Sequence, residues 1–189
     1  MTSAAGSAAH ALTAQEFHDL PAEDRLWTEL IAGEVCAVSP ANFEHGMVAA
    51  ALVRALHTFV EASGLGVVVS SETGFTIGRD PDTVRAPDAA FVSTERVPPP
   101  GSRRGFVELA PDLVAEVVSP RDHASYVLAK ALAWLDAGSQ IVWVLDPALR
   151  SAIVHRRDGV ARIVRGPDGE LDGEDVLPGL RIALRDLFG

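Results

Sequence analysis

Two nearly continuous apolar runs, Leu113–Val118 and Gln140–Leu145, bracket a segment of helical periodicity from Asp122 to Ala137, and no other feature constrains the fold as much. A short apolar run broken only by Glu116 reads as a strand buried on both faces, as in a parallel sheet covered by helices. Strand, helix and strand in succession imply a parallel βαβ crossover, because parallel neighbours cannot be joined by a tight turn. Asp122 is the expected N-cap of this helix and Gly138 its terminator.

The remaining chain supplies elements to build around that unit. Thr13-Ala14-Gln15-Glu16 has the form of a capping box and predicts a short helix ending before Pro21. Trp27–Val38 reads as two short strands joined at Ala32-Gly33. From Asn42 to Ser63, Met47, Val48, Ala51, Leu52, Ala55, Leu56, Phe59 and Val60 recur at helical spacing, with Asn42 as N-cap and Gly64 just past the end. Gly66–Ser70, Gly74–Ile77 and Val84–Val92 are β-rich and read as a meander, and the proline-rich Val97–Gly105 as a loop. A hairpin is expected about Asp158-Gly159, and a short terminal element at Leu184–Phe188. With no repeat or linker, residues 13–189 read as one domain behind a disordered tail, 1–12; Met1–His10 is small and polar, without the features of a targeting peptide.

Of the 189 residues, 48% are hydrophobic, enough for the core of one domain. Cys36 is the only cysteine, which excludes an intramolecular disulfide and a multi-thiolate metal site, so a reducing, cytoplasmic setting is expected. Apolar runs such as Met47–Leu56 fall well short of the ~20 residues that span a bilayer. A net charge of −10 argues against a surface that grips polyanions all over. The first hundred residues carry 5 basic and 13 acidic side chains and the rest 11 and 13, so a basic face could arise only in the second half, or its arginines simply lie on solvated loops and edges.

Three residues break the local pattern. Glu116 lies within an apolar strand, where a carboxylate must either be paired or metal-bound, or face an open side. Pro87-Asp88 interrupts a β-rich segment, marking a strand start or a turn; paired with Glu116 from an adjacent strand, Asp88 would complete an oxygen-rich site suited to Mg²⁺. Lys130 is the only lysine among 16 basic residues. A site needing a compact ammonium could not accept arginine there, whereas a solvent-exposed helix face could accept either.

This ordered set resembles the Uma2 (DUF820) family, within the PD-(D/E)XK restriction-endonuclease-like superfamily. The resemblance runs through Glu29-Leu30-Ile31-Ala32-Gly33-Glu34, Ser39-Pro40, His45, Pro87–Val92, Pro111–Pro120, Lys130, Ala137-Gly138 and Val142–Pro147. It implies a restriction-endonuclease-like α/β core, a mixed sheet flanked by helices with additional hairpins. It also implies hydrolysis of phosphodiester bonds, in DNA first and in RNA or nucleotides as an alternative. Asp88, Glu116 and the main-chain carbonyl of Val117 would hold Mg²⁺ or Mn²⁺, with Lys130 offsetting charge and Glu34 as an outer ligand or base. The superfamily pattern places lysine two residues after the acidic ligand, where this chain has Val118; Lys130, on the following helix, would replace it. That departure keeps a second reading open, a non-catalytic scaffold retaining the fold. Homodimerisation is a further expectation of the resemblance. His45 and His123 are read as solvent-facing or capping residues first and as proton shuttles second, and Ser119, without a nucleophile elbow around it, as a strand-end residue.

Overall fold

The computed structural model describes residues 10–38 and 40–189. Thirteen strands and five α-helices follow in the order α1 (Ala14–Asp19), α2 (Ala22–Arg25), β1 (Thr28–Ile31), β2 (Glu34–Ala37), α3 (Phe43–Ser63), β3 (Gly66–Ser70), β4 (Phe75–Gly78), β5 (Thr83–Arg85), β6 (Ala89–Ser93), β7 (Val107–Glu108), β8 (Leu113–Val117), α4 (Ala124–Ala137), β9 (Ile141–Asp146), β10 (Ser151–Arg156), β11 (Ala161–Arg165), β12 (Glu170–Asp172), β13 (Arg181–Ala183) and α5 (Leu184–Phe188). The expected α/β architecture is present. A six-stranded mixed sheet runs β11-β10-β9-β8-β6-β3, a five-stranded sheet runs β2-β1-β5-β4-β7, and β12 and β13 form a separate hairpin.

The crossover read from the sequence is the centre of the six-stranded sheet. Leu113–Val117 pairs in parallel with Ile141–Leu145, in register residue by residue, and α4 connects them. Alternation along these strands sorts their side chains between two cores. Leu113, Ala115, Val117, Ile141, Trp143 and Leu145 pack with Val48, Leu52, Leu56 and Val60 of α3. Val114, Val142 and Val144 pack on the other side with Ala131, Trp134 and Leu135 of α4. Glu116 shares the parity of Val114, so its carboxyl points toward α4.

The capping logic holds where the sequence states it clearly. Thr13 and Glu16 form the reciprocal capping box of α1. Asn42 accepts from the His45 amide at 2.8 Å to cap α3, and Gly64 ends that helix with φ 66°. The β1–β2 hairpin turns at Ala32 and Gly33, both with positive φ, as a tight hairpin turn demands. Leu12 donates to the Gly33 carbonyl at 2.9 Å and packs on Ala14, Phe17, Leu30 and Val84, so the domain begins inside the expected tail; residues 1–9 of that tail lie outside the described residues.

Three expectations need correction. Asp122 is not the N-cap of α4: His123 holds that position, while the Asp122 carboxylate accepts from the Ser119 amide at 2.8 Å, tightening the turn after β8. The proline-rich loop contains one short 3₁₀ turn, Pro100–Ser102, and a second, Thr94–Arg96, immediately precedes the loop. The β-rich stretch from 66 to 92 is not a meander. β3 pairs with β6 in one sheet and β4 with β5 in the other, and the run from Val84 to Val92 divides at Ala86-Pro87-Asp88, where the chain steps between sheets. Proline cannot donate a ladder bond, so the step falls there. Among the described residues no helix is long and apolar enough to cross a membrane.

Candidate active site

The sheet-to-sheet step brings Asp88 opposite Glu116. Ala89 pairs with Ala115 in the antiparallel β6–β8 ladder, so Asp88, one residue earlier, lies level with Glu116 one residue later. The Asp88 Oδ2 atom accepts from the Val117 amide at 2.7 Å and lies 3.2 Å from His45 Nε2. Asp88 Oδ1 is left without a hydrogen bond among the described residues.

Glu116 is only 8% exposed and both its oxygens are engaged by α4. Trp134 Nε1 donates to Oε1 at 2.8 Å and Lys130 Nζ to Oε2 at 2.9 Å. The spacing from Lys130 to Trp134 is one helical turn, so both donors fall on the face of α4 that meets the sheet. Lys130 Nζ also lies 3.2 Å from Glu29 Oε1 and donates to the Ala86 carbonyl at 3.3 Å. Glu29, from β1, is 4% exposed; its Oε2 accepts from Arg85 at 2.8 Å and its Oε1 from the Ala86 amide at 3.3 Å. One ammonium is therefore shared by two buried carboxylates.

The electrostatics follow from that sharing. Burial pushes the Glu116 carboxyl up to about 7; Lys130 opposes the shift, and the Asp88 and Glu29 charges reinforce it. Burial pulls on Lys130 in the other direction, but Glu116 and Glu29 outweigh it and hold the ammonium well above its ordinary value. His45 is raised chiefly by its hydrogen bond to Asp88, with burial opposing. The cluster has an excess of negative charge that it offsets with protons.

Asp88, Glu116, Val117, Lys130, Glu29 and His45 all line one open cleft of about 1090 Å³ between α3, the β1–β2 hairpin and the end of β8. Three of the residues singled out from sequence thus converge. Glu34 does not join them: it is exposed at the turn end of the hairpin, paired across from Ile31, and does not line the cleft. The acidic residue of that hairpin at the site is Glu29. Its signal was present in the sequence, a carboxylate between Trp27-Thr28 and Leu30-Ile31, the same anomaly as Glu116. His45 is also corrected, from a solvent-facing or capping residue to a buried side chain facing Asp88. His123 is exposed outside the cleft, and Ser119, expected at the strand end, lies two residues past the end of β8 and lines the cleft.

Among the described residues no three His, Cys, Asp or Glu side chains converge in a metal-holding cluster. Mg²⁺ does not require one, since it binds through one or two carboxylates and keeps several waters. Two hard-oxygen carboxylates lining one open cleft, one of them with an oxygen that takes no hydrogen bond among the described residues, fit that demand in chemistry.

The comparisons agree with this reading of the fold. A crystal structure described as "a putative nuclease belonging to DUF820", from Anabaena variabilis ATCC 29413, superposes with a TM-score of 0.79 at 24% identity, covering 94% of this chain and 97% of that one. No curated protein matches the sequence. The model of the Uma2 family, described as "Putative restriction endonuclease", matches residues 14–185, nearly the whole of the described chain. The chain belongs to the Uma2 family.

Proposed function

We propose that the cleft hydrolyses phosphodiester bonds in nucleic acid, DNA foremost, with Mg²⁺ or Mn²⁺ as cofactor. The observation that carries this is the pairing of Asp88 and Glu116 on neighbouring strands, with the chain's only lysine 2.9 Å from Glu116 at one open cleft. Asp88, Glu116 and the Val117 carbonyl would hold the cation, which when bound lowers the pKa of its water and polarises the scissile phosphate. Trp134 fixes the orientation of Glu116, and the Val117 amide fixes Asp88. Lys130, held by Glu29 and the Ala86 carbonyl, presents a compact positive charge to offset charge developing on the phosphoryl oxygens. His45 can hold a proton at Nε2 against Asp88 and release it as the site's charge changes.

A non-catalytic scaffold is the second reading, favoured by Val118 in place of the superfamily lysine and by the engagement of both Glu116 oxygens. Incubation with plasmid, short duplexes and single strands, in Mg²⁺ and in EDTA, separates the two. Cleavage in Mg²⁺ that is lost in Asp88→Ala and Lys130→Ala supports the nuclease. Cleavage that survives both substitutions, or none under any condition, removes it.

A further inference from the structure

The cleft continues well beyond the carboxylates. Along α3, His45, Gly46, Ala49, Ala50, Val53 and Arg54 line it in turn, the small residues between His45 and Arg54 leaving its floor open. Nine residues of helix place Arg54 about 13 Å from His45, at ~1.5 Å per residue. Trp27, two residues before Glu29 and 47% exposed, also lines the cleft, as does Arg25 two residues before it. Neither Arg25 nor Arg54 forms an ion pair among the described residues; Arg25 Nε donates to the Leu20 carbonyl at 3.1 Å, which holds its guanidinium in place. Trp27 is held with φ 58°, a conformation a bulky side chain rarely adopts. The cleft exceeds the ~300–1,000 Å³ of a small-ligand pocket.

Resting on the reading that the cleft handles nucleic acid, we propose that its far end is a binding site for an unpaired strand, with a base stacked on Trp27 and its phosphates met by Arg25 and Arg54. A duplex hides the faces of its bases and is gripped through roughly 6–10 phosphate contacts in typical complexes, more than two arginines supply. An exposed aromatic ring instead binds any unpaired base, whatever its sequence, through its π-face. Trp27 lies two residues before Glu29, whose Oε1 is 3.2 Å from Lys130 Nζ, and all three line the same cleft, so a strand stacked on Trp27 lies in the cleft that holds the carboxylates. The acidic surface of the chain, net −10, is compatible with such a stacking-led mode and poorly matched to broad backbone contact.

The other two tryptophans, Trp134 and Trp143, are 0% exposed, so quenching of the accessible emission reports Trp27. The test is a titration in EDTA, which excludes cleavage, with a fluorescein-labelled dT₂₀ strand and a labelled blunt 20-base-pair duplex; anisotropy of the label gives the affinity of every variant, and Trp27 quenching is read in the wild type and in Arg54→Ala. The single strand should quench and bind more tightly than the duplex. Trp27→Ala should weaken single-strand binding by roughly 5- to 150-fold, the loss of one base–aromatic stack, and Trp27→Phe should recover most of it. Arg54→Ala should lower the slope of log affinity against log salt by ~0.7, one phosphate contact on a single strand. Duplex binding that equals or exceeds single-strand binding, or affinity unchanged in Trp27→Ala, overturns the proposal. Cleavage data keep the two readings apart: Trp27-dependent binding without Mg²⁺-dependent cleavage leaves the strand site standing and removes the nuclease, while cleavage of duplex with Trp27 silent does the reverse.

Discussion

Replacing Glu116 with glutamine keeps the size of the side chain and an acceptor for Trp134 Nε1, and removes one titrating proton from a buried site. In the native protein that proton is held up to about pH 7, against an ordinary value of 4.5, because burial disfavours the carboxylate more than Lys130 restores it, and the Asp88 and Glu29 charges add to the shift. Between those two values the folded state binds a proton that the unfolded state has released. By linkage, the contribution of Glu116 to wild-type stability is greatest at or below pH 4.5 and falls as pH rises toward 7. The slope approaches 1.4 kcal/mol per pH unit, so the fall totals about 3 kcal/mol over the window. For a chain of this size that is a change of roughly 6–12 °C in Tm, at ~2–4 °C per kcal/mol. The Glu116→Gln variant lacks this slope. Thermal unfolding followed by circular dichroism in EDTA at pH 4.5, 5.5, 6.5 and 7.5 should therefore show the variant gaining on the wild type at each step. A difference in Tm that stays flat across the series would mean that Glu116 titrates as an ordinary carboxyl, and the account of a proton-buffered cation site would fail.

Lys130→Met leaves Glu29 and Glu116 buried without their shared cation and should cost ~3–5 kcal/mol in urea unfolding at neutral pH; a loss under 1 kcal/mol would show that the ion pairs are not formed. Lys130→Arg should not restore Mg²⁺-dependent cleavage, because a planar fork cannot take the place of the compact ammonium between two carboxylates. Glu34→Ala should stay within ~0.5 kcal/mol of the wild type and leave cleavage intact, whereas Glu29→Gln should lower cleavage by releasing its hold on Lys130; equal effects of the two would contradict the geometry. The His45 ring, followed by NMR, should titrate above its ordinary value and return toward it in Asp88→Asn. Its stabilising contribution is complete below pH ~6.5 and is lost as pH rises through the raised value.

Much of the scaffold was legible because its signals were local. The apolar runs around α4, the cap at Asn42 and the turn at Ala32-Gly33 each state their structure within a few residues. The pairing of strands did not have that property. β3 and β6 are separated by a whole excursion into the other sheet, and alternation within each run says nothing about which sheet it joins. At the site, Lys130 stood out by rarity and Glu116 by its apolar neighbours, and both proved to touch. Glu29 carried the same apolar context as Glu116 but lies in a short hairpin strand, where an outward-facing carboxylate is the ordinary case. It is buried because Arg85 and Lys130 arrive from elsewhere in the chain to meet it. Glu34 was the more conspicuous residue beside a glycine turn, and the turn turned out to be its whole explanation. His45 could not be oriented from sequence, since only the packing of α3 against the β6 corner decides which way its ring faces.

If Asp88 and Glu116 together form a hard-oxygen cation site, crystals soaked in Mn²⁺ will reveal it through the anomalous signal of the ion. The prediction is a single strong peak in contact with the Asp88 and Glu116 carboxylates, absent in Asp88→Asn. A peak that persists in that variant, or Mn²⁺ bound only elsewhere on the acidic surface, would contradict it.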